Sequence, residues 1–212
     1  MEFWEKTASE RKVLKILSEF NPSHCAITFD TPEPTFRHNL DKEYKAHRSE
    51  TPEGLYSQFD RVKQVAEAFD IPIYELPGYE ADDLLGTLSY IASAKGLHTI
   101  IVTGDTDTLQ LVNSDVSVLL NSGSGNQKMY DSVMVQDRYL GLLPDQLPDL
   151  KALQGDASDN ISGVPGIGEK TGIKLLNQFS SLDNLYAKVQ EVEPARIKDC
   201  LLYTSPSPRD RG

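Results

Sequence analysis

The stretch "GYEADDLLGTLSYIASAKGLHTIIVTGDTD" (residues 78–107) decides the fold class. Apolar residues recur at helical spacing through its first half, and Gly96 is a candidate C-cap for that helix. The second half, residues 98–105, is an apolar run typical of a buried strand. A helix that leads directly into a buried strand indicates an α/β fold.

The same alternation continues on both sides of this stretch. Strands that alternate with helices at this spacing predict a mostly parallel sheet covered by helices on both faces. A small helical subdomain is expected to follow over about residues 140–190, after the last predicted strand. The further predicted elements are strands over 25–30, 71–76 and 116–122, and helices over 10–20, from Thr51-Pro52 to about 69, and over 169–179.

Composition excludes several classes of protein. The chain has 212 residues, 39% of them hydrophobic and 25% charged, as expected of a soluble globular protein. No apolar run approaches the roughly 20 residues that a membrane helix needs, and two cysteines do not make a disulfide framework. We therefore expect a cytoplasmic protein with no membrane association. A net charge of −11 taken alone argues against binding to nucleic acid. The distribution of charge matters more than the sum, and residues 37–48 are basic.

Acidic side chains follow three of the predicted strands. Ligands bind outside the carboxyl ends of the strands in an open α/β sheet, so we expect these carboxylates to meet at one edge. So many carboxylates share a site only when cations neutralise them, and oxygen ligands favour Mg²⁺ or Mn²⁺ over zinc. Two such ions roughly 4 Å apart are the usual means of phosphodiester hydrolysis. The candidate metal ligands are Asp30, Glu80, Asp82, Asp83, Asp105 and Asp107, with Asp156 and Asp159 added from the helical subdomain.

Each of these acids also has a purely structural explanation. Glu80, Asp82 and Asp83 lie at a helix N-terminus, where the helix dipole alone favours acids. Asp105 or Asp107 could cap the next helix, and Asp30 could be an ordinary turn residue. The joint occurrence at three strand ends is what favours a metal site.

The stretch "GDASDNISGVPGIGEKTG" (155–172) joins two of these acids to a glycine-rich turn that precedes a helix. Backbone N–H groups exposed in such a turn, together with the helix N-terminus, suit a phosphate. Contacts of this kind grip a nucleic-acid backbone independently of base sequence. The alternative is a set of ordinary turn glycines. The candidate phosphate-binding residues are Gly163, Gly166, Gly168, Lys170 and Lys174.

Four motifs in order resemble the 5′-nuclease family, specifically its 5′–3′ exonuclease domain as found in bacterial DNA polymerase I. They are "FD…PTFRHNLDKEYKAHR", "GYEADDLLGTL", "VTGDTDTLQLV" and "LKALQGDASDNISGVPGIGEKTGIKLL". The resemblance implies a PIN-like core over residues 1–140, with a helical arch over about 35–55, and a helix–hairpin–helix (H3TH) subdomain over 141–200. It implies a monomer that hydrolyses 5′ ends and 5′ flaps of DNA in replication and repair, including Okazaki primer removal. Residues 201–212 are rich in Ser, Pro and Arg and show no periodicity, so we interpret them as a non-native tail, with a natural disordered tail as the alternative.

The resemblance also implies roles for particular residues. Asp30, Glu80, Asp82 and Asp83 would hold one Mg²⁺ or Mn²⁺ ion, and Asp105, Asp107, Asp156 and Asp159 the other. Lys45 and Arg48 would stabilise charge on the scissile phosphate. Arg37 belongs to the same DNA-binding segment, in which Tyr44 would either stack on a base or simply pack. The hairpin loop would hold duplex backbone and could bind K⁺ through its carbonyls.

The sequence departs from the family at its start. The family begins with a buried strand that ends in an aspartate within Asp-Gly-Asn, and nothing before Cys25 resembles it. We therefore expect this chain to fold poorly and to have weak or no activity. Equal flap cleavage by this chain and by one with that strand added would contradict this expectation. The alternatives to a structure-specific DNA nuclease are a catalytically impaired DNA-binding module and a PIN-like RNA endonuclease. The H3TH segment argues against the latter.

Overall fold

The computed structural model describes residues 8–48, 53–121 and 126–203. It is a mixed α/β fold, which confirms the predicted fold class. The described residues divide into two compact units. The first contains the residues up to Thr35 and Arg48–Leu84, and the second contains Phe36–His47 and the residues from Leu85 on. The helices are α1 (Ala8–Phe20), α2 (Phe36–Leu40), α3 (Glu53–Ala68), α4 (Ala81–Ala94), α5 (Ser132–Arg138), α6 (Leu147–Gln154), α7 (Glu169–Phe179), α8 (Leu182–Ala187) and α9 (Ala195–Tyr203). The strands are β1 (Ile27–Thr28), β2 (Ile73–Tyr74), β3 (Thr99–Thr103), β4 (Val116–Asn121), β5 (Gln127–Tyr130), β6 (Gly155–Asp156) and β7 (Ile161–Ser162).

The first unit contains the parallel pair β1–β2, in which Ile27 is aligned with Ile73. Both strands are much shorter than the predicted runs of 25–30 and 71–76. Helix α1 packs against α3, and the Phe29 ring meets the Phe59 ring edge-on with centroids 6.0 Å apart. The predicted helix start at Thr51-Pro52 lies outside the described residues.

The second unit contains a three-stranded sheet in the order β3-β4-β5. Strand β3 runs parallel to β4, with Thr99 aligned with Val116 and Thr103 with Leu120. Strand β5, which the sequence did not predict, runs antiparallel to β4. Its sequence "QKMY" has mixed polarity and gives no periodic signal. The connection from β3 to β4 carries a 3₁₀ turn over Thr106–Leu111, which begins at the carboxyl end of β3.

The main hydrophobic core lies in the second unit. Helix α7 supplies Ile173, Leu176 and Phe179, which recur at helical spacing and are buried. Burying one such side chain contributes about 1.5–3 kcal/mol. The same core includes Val118 on β4, so it extends across the predicted division at residues 140 and 141. That division stays a prediction.

Helix α9 corrects the predicted boundary of the non-native tail. It ends at Tyr203, and Leu201 is 1% exposed and belongs to the main core. Residues 201–203 are therefore part of the fold, whereas residues 204–212 lie outside the described residues. Sequence patterns did not indicate that Leu201 is buried, because the residues that follow the helix are rich in Ser and Pro. Among the helices described, none is both long and apolar enough to cross a membrane.

Candidate metal centre and nucleic-acid interface

The acids of the first unit meet at the N-terminus of α4. Asp30, which follows β1, accepts a hydrogen bond at Oδ1 from the backbone N–H of Ala81 at 2.7 Å. Asp83 accepts at Oδ2 from the backbone N–H of Glu80 at 2.9 Å, and Asp82 lies half-buried in the same helical turn. The structural role that the sequence left open for these acids is therefore present. It does not use up their capacity, because a carboxylate offers about four lone-pair positions.

The acids of the second unit converge from distant parts of the chain. Asp105 caps the 3₁₀ turn after β3, and its Oδ1 accepts a hydrogen bond from the Asp107 N–H at 2.8 Å. The Nζ atom of Lys151, on α6, lies 2.8 Å from Asp107 Oδ1 and 2.8 Å from Asp156 Oδ2. We name Asp107, Lys151 and Asp156 the Lys151 cluster. Asp156 lies on β6, so the cluster joins the sheet to the helical part of this unit.

The two carboxylates of the Lys151 cluster are affected differently by the same ammonium. Burial raises the pKa of Asp107, and its hydrogen bond with Lys151 does not overcome that effect. Burial also raises the pKa of Asp156, but hydrogen bonds from Lys151 and Ser158 outweigh it and leave that pKa below its usual range. Burial lowers the pKa of Lys151, yet its bonds to both carboxylates hold that pKa above its usual value. The cluster thus contains a firmly charged ammonium between two acids.

Asp159 is bound to the basic segment, residues 36–47, rather than to the Lys151 cluster. Its Oδ2 accepts a hydrogen bond from the Tyr44 hydroxyl at 3.2 Å, and its carbonyl accepts one from the Lys45 N–H at 2.9 Å. The next residue, Asn160, donates from Nδ2 to the Glu43 carbonyl at 2.7 Å. These three bonds fasten the basic segment to the β6–β7 hairpin within the second unit.

Tyr44 is a buried aromatic residue within an otherwise polar and basic segment. Its side chain is 5% exposed, and its ring meets that of His38 edge-on. In this conformation the ring is not open to a base, and the packing alternative describes it. A single buried aromatic in a polar stretch gives no periodic signal, which is why the sequence did not show it.

The predicted phosphate-contacting cations are distributed over both units. Lys45 is half-buried, with Nζ 4.9 Å from the centroid of the Tyr44 ring. The Arg37 guanidinium lies 4.6 Å from the centroid of the Phe36 ring. Arg48 is exposed and belongs to the first unit. Lys45 and Arg37 therefore share a unit with Asp159, and Arg48 does not.

The glycine hairpin over residues 163–168 leads into α7. Gly163 packs directly against the backbone of Gln154 and Gly155, so closely that a Cβ would overlap those atoms. Gly166 has a φ of +84°, in the left-handed region that favours glycine. Gly168 is the N-cap of α7, and no heavy atom of the described residues lies within 4 Å of where its Cβ would be. The hairpin is therefore closed on one side by the chain and open at the start of α7.

Exposed cations surround the open end of this hairpin. Lys170 and Lys174 are exposed and lie one turn apart on α7, on the same side of the helix. Arg196, an exposed residue of α9, has Nη2 3.9 Å from the position of a Cβ on Gly166. The sequence pattern did not single out Arg196 or Lys151. Both depend on contacts between segments far apart in the chain.

The donor set fits a hard divalent cation in its chemistry. Every predicted ligand is a carboxylate, as Mg²⁺ and Mn²⁺ prefer. Within the described parts of the chain, however, no group of three or more His, Cys, Asp or Glu side chains is arranged to hold a metal ion. Mg²⁺ is commonly bound through one or two carboxylates and several waters. The pair Asp107 and Asp156, which already holds a cationic group, satisfies that lower requirement.

Two consecutive ranges of this chain match the two domains of one protein family. Residues 7–140 match the N-terminal resolvase-like domain of 5′–3′ exonuclease, and residues 142–205 match its C-terminal SAM fold. The chain belongs to the 5′–3′ exonuclease family. This finding confirms the resemblance inferred from the four sequence motifs.

The relatives of this 5′–3′ exonuclease chain include much longer proteins. DNA polymerase I of Chloroflexus aurantiacus is 50% identical over 192 residues, which cover 89% of this chain and 20% of the polymerase. The chain thus spans about a fifth of the length of the curated relatives it matches. A structure of bacteriophage T5 5′-exonuclease with bound zinc is similar with a TM-score of 0.74 and 23% identity, covering 91% of this chain and 74% of that one. A complex of the T5 flap endonuclease with DNA and metal ions gives a TM-score of 0.74 at 22% identity, covering 90% and 73%.

Proposed function

We propose that this chain is a metal-dependent 5′–3′ exonuclease and 5′-flap endonuclease acting on DNA at single-strand/double-strand junctions. The observation that carries the proposal is the Lys151 cluster, in which two carboxylates from distant segments meet around one cation position. A family member with this arrangement is expected to hydrolyse phosphodiesters in replication and repair, including primer and flap removal. We further propose a cytoplasmic, monomeric protein whose two family domains divide at residues 140 and 141.

The eight predicted carboxylates would hold two divalent ions, Mg²⁺ or Mn²⁺. Bound ions would supply an activated water and stabilise charge on the attacking and leaving oxygens. Asp30 and Asp83 are held by their capping bonds in the first unit, while Asp105 orders the loop that carries Asp107 in the second. The chain's own contribution is to hold these oxygens in place before any cation arrives.

Basic residues of the basic segment, together with Arg48, would contact the substrate strand. Lys45 and Arg48 would stabilise negative charge on the scissile phosphate, and Arg37 would contact the same strand. Tyr44 would stack on a base only after its hydrogen bond to Asp159 is broken. We therefore expect DNA binding to shift the basic segment away from Asp159.

The glycine hairpin would hold the duplex by its backbone. Open space above Gly168 allows a phosphate to approach the N–H groups at the start of α7. Lys170 and Lys174 lie on that helix, and Arg196 extends the cationic surface beside Gly166. Carbonyl groups of the same loop could also hold a K⁺ ion. Such contacts carry no base sequence information.

The deciding experiment is a panel of 5′-labelled substrates incubated with the chain and Mg²⁺. The panel contains a DNA 5′ flap, a nicked duplex, a single strand and the flap with RNA throughout. Preferential cleavage of the DNA flap and of 5′ ends supports the proposal. Binding of the flap without cleavage would favour the catalytically impaired DNA-binding module, and preference for the RNA substrate would favour an RNA endonuclease.

Lys170→Ala and Lys174→Ala are each expected to weaken binding of duplex DNA without loss of stability. Each variant removes one exposed ammonium from α7, so the slope of log affinity against log salt should become shallower by about one. Fluorescence anisotropy at several salt concentrations measures both quantities. Lys188→Ala, an exposed lysine after α8 and outside the hairpin, is the matched control. An equal effect of all three variants would contradict the assignment of the hairpin.

A further inference from the structure

Lys151 lies where the proposed function needs a divalent cation. Its Nζ is 2.8 Å from one oxygen of Asp107 and 2.8 Å from one oxygen of Asp156. The helix that carries it is fixed, because Leu150 and Leu153 on either side of it are fully buried in the main core. The fold therefore fixes the backbone of Lys151, and the contacts with Asp107 and Asp156 hold its ammonium between the two carboxylates.

We propose that Lys151 is an internal counterion that a divalent cation must displace before it can bind Asp107 and Asp156. In this role Lys151 keeps the two carboxylates together without metal and sets the metal concentration at which the pair is loaded. The proposal rests on the proposed function, since it assigns these two acids to a metal. It adds a positioning residue that acts through the ligands and touches no substrate.

Asp107 and Asp156 need a positive charge between them. Two carboxylates that converge on one point repel each other unless a positive charge lies between them. The Asp156 side chain is only 9% exposed, so water screens its charge poorly. Each carboxylate accepts a hydrogen bond from the same Nζ atom. An ion bound to those same oxygens and the ammonium therefore compete for one place.

The ammonium of Lys151 can also move away from the two carboxylates. Its side chain is 36% exposed, on a flexible stem of four methylene groups. The ammonium can swing into water while the backbone of α6 stays packed. A fully buried lysine would lack this alternative and would block the site instead. Lys151 is thus placed to yield to a divalent ion, at a cost in metal affinity.

The test is direct titration of Mn²⁺ into the chain, without DNA, measured by calorimetry and by the electron paramagnetic resonance of free Mn²⁺. Lys151→Met removes the competing charge and is expected to bind Mn²⁺ about tenfold more tightly, within the usual range of coupling between two binding events. Lys151→Arg keeps the charge and should bind no more tightly than the wild type. Lys128→Met is the control, because it removes an exposed lysine of the same unit that lies over the Tyr130 ring.

A purely structural role for Lys151 predicts a different result. If the residue only stabilises the fold, Lys151→Met lowers the melting temperature and leaves Mn²⁺ affinity unchanged or weaker, which overturns the proposal. Lys151→Gln, which removes the charge and keeps a hydrogen-bond donor, provides the same measurement if the methionine variant does not fold. Wild-type binding with no gain in either variant overturns the counterion role alone. Absence of Mn²⁺ binding in every protein overturns the metal site as well.

Discussion

Asp107→Asn is expected to lower the rate of 5′-flap cleavage by about 100-fold or more, since changing groups that merely orient metal ligands already costs about 10- to 100-fold. The asparagine keeps the size of the side chain and removes the charge that faces Lys151. Stability should change little. Burial raises the pKa of Asp107, so its charge is not a source of stability at neutral pH. Single-turnover cleavage and urea unfolding of the same preparation measure both effects.

Asp137→Asn is the matched control, because Asp137 is an exposed acid on α5. It should retain wild-type cleavage. A loss of activity in Asp107→Asn that is matched by an equal loss in Asp137→Asn would contradict the assignment. So would an Asp107→Asn variant that cleaves at the wild-type rate.

Asp156 is a less suitable site for this test because its charge does stabilise the fold. Its folded pKa lies below the unfolded value of 3.8. The corresponding stability is therefore present at pH values above the unfolded pKa and is lost as the pH falls toward the folded one. Asp156→Asn would therefore lower both metal binding and stability, whereas Asp107→Asn is expected to lower metal binding alone.

Gly163→Ala is expected to lower the free energy of unfolding by about 3 kcal/mol or more, at the severe end of single substitutions. A Cβ on Gly163 would overlap the backbone of Gln154 and Gly155, and backbone atoms cannot turn aside as a flexible side chain can. The hairpin would have to move away from the C-terminal end of α6. Urea unfolding followed by circular dichroism measures the change.

Gly168→Ala is the matched control in the same hairpin. A Cβ there meets no described heavy atom within 4 Å, and its φ of −99° suits any residue. Loss of a favourable N-cap residue should cost less than about 1 kcal/mol. Equal destabilisation by the two alanines would contradict the close approach at Gly163.

Local patterns were sufficient to predict much of this fold. Helix α7 has the predicted bounds of 169–179, because its apolar residues recur at helical spacing after a glycine turn. The strands β3 and β4 were found as apolar runs, although β3 ends two residues earlier than predicted. Strand β5 and the end of α9 were missed because neither has a local pattern that distinguishes it from a loop.

The parts of the site that the sequence did not predict are contacts between distant segments. Lys151 is one lysine among many in sequence, and only the packing of α6 places its ammonium between Asp107 and Asp156. The bond from Tyr44 to Asp159 likewise joins a polar segment to a hairpin far along the chain. Residue type and spacing singled out the acids as candidate metal ligands, and that assignment stays a prediction. They could not show which partners those acids have when no metal is bound.

We have proposed that carboxylates of this chain hold divalent cations that drive cleavage of DNA 5′ flaps. The decisive measurement follows one 5′-labelled flap with the wild-type chain, first in EDTA and then after addition of excess Mg²⁺. We predict no cleavage in EDTA and release of short 5′ products once Mg²⁺ is in excess. Cleavage that proceeds at the same rate in EDTA, or a bound flap that stays intact after Mg²⁺ is added, would contradict the account.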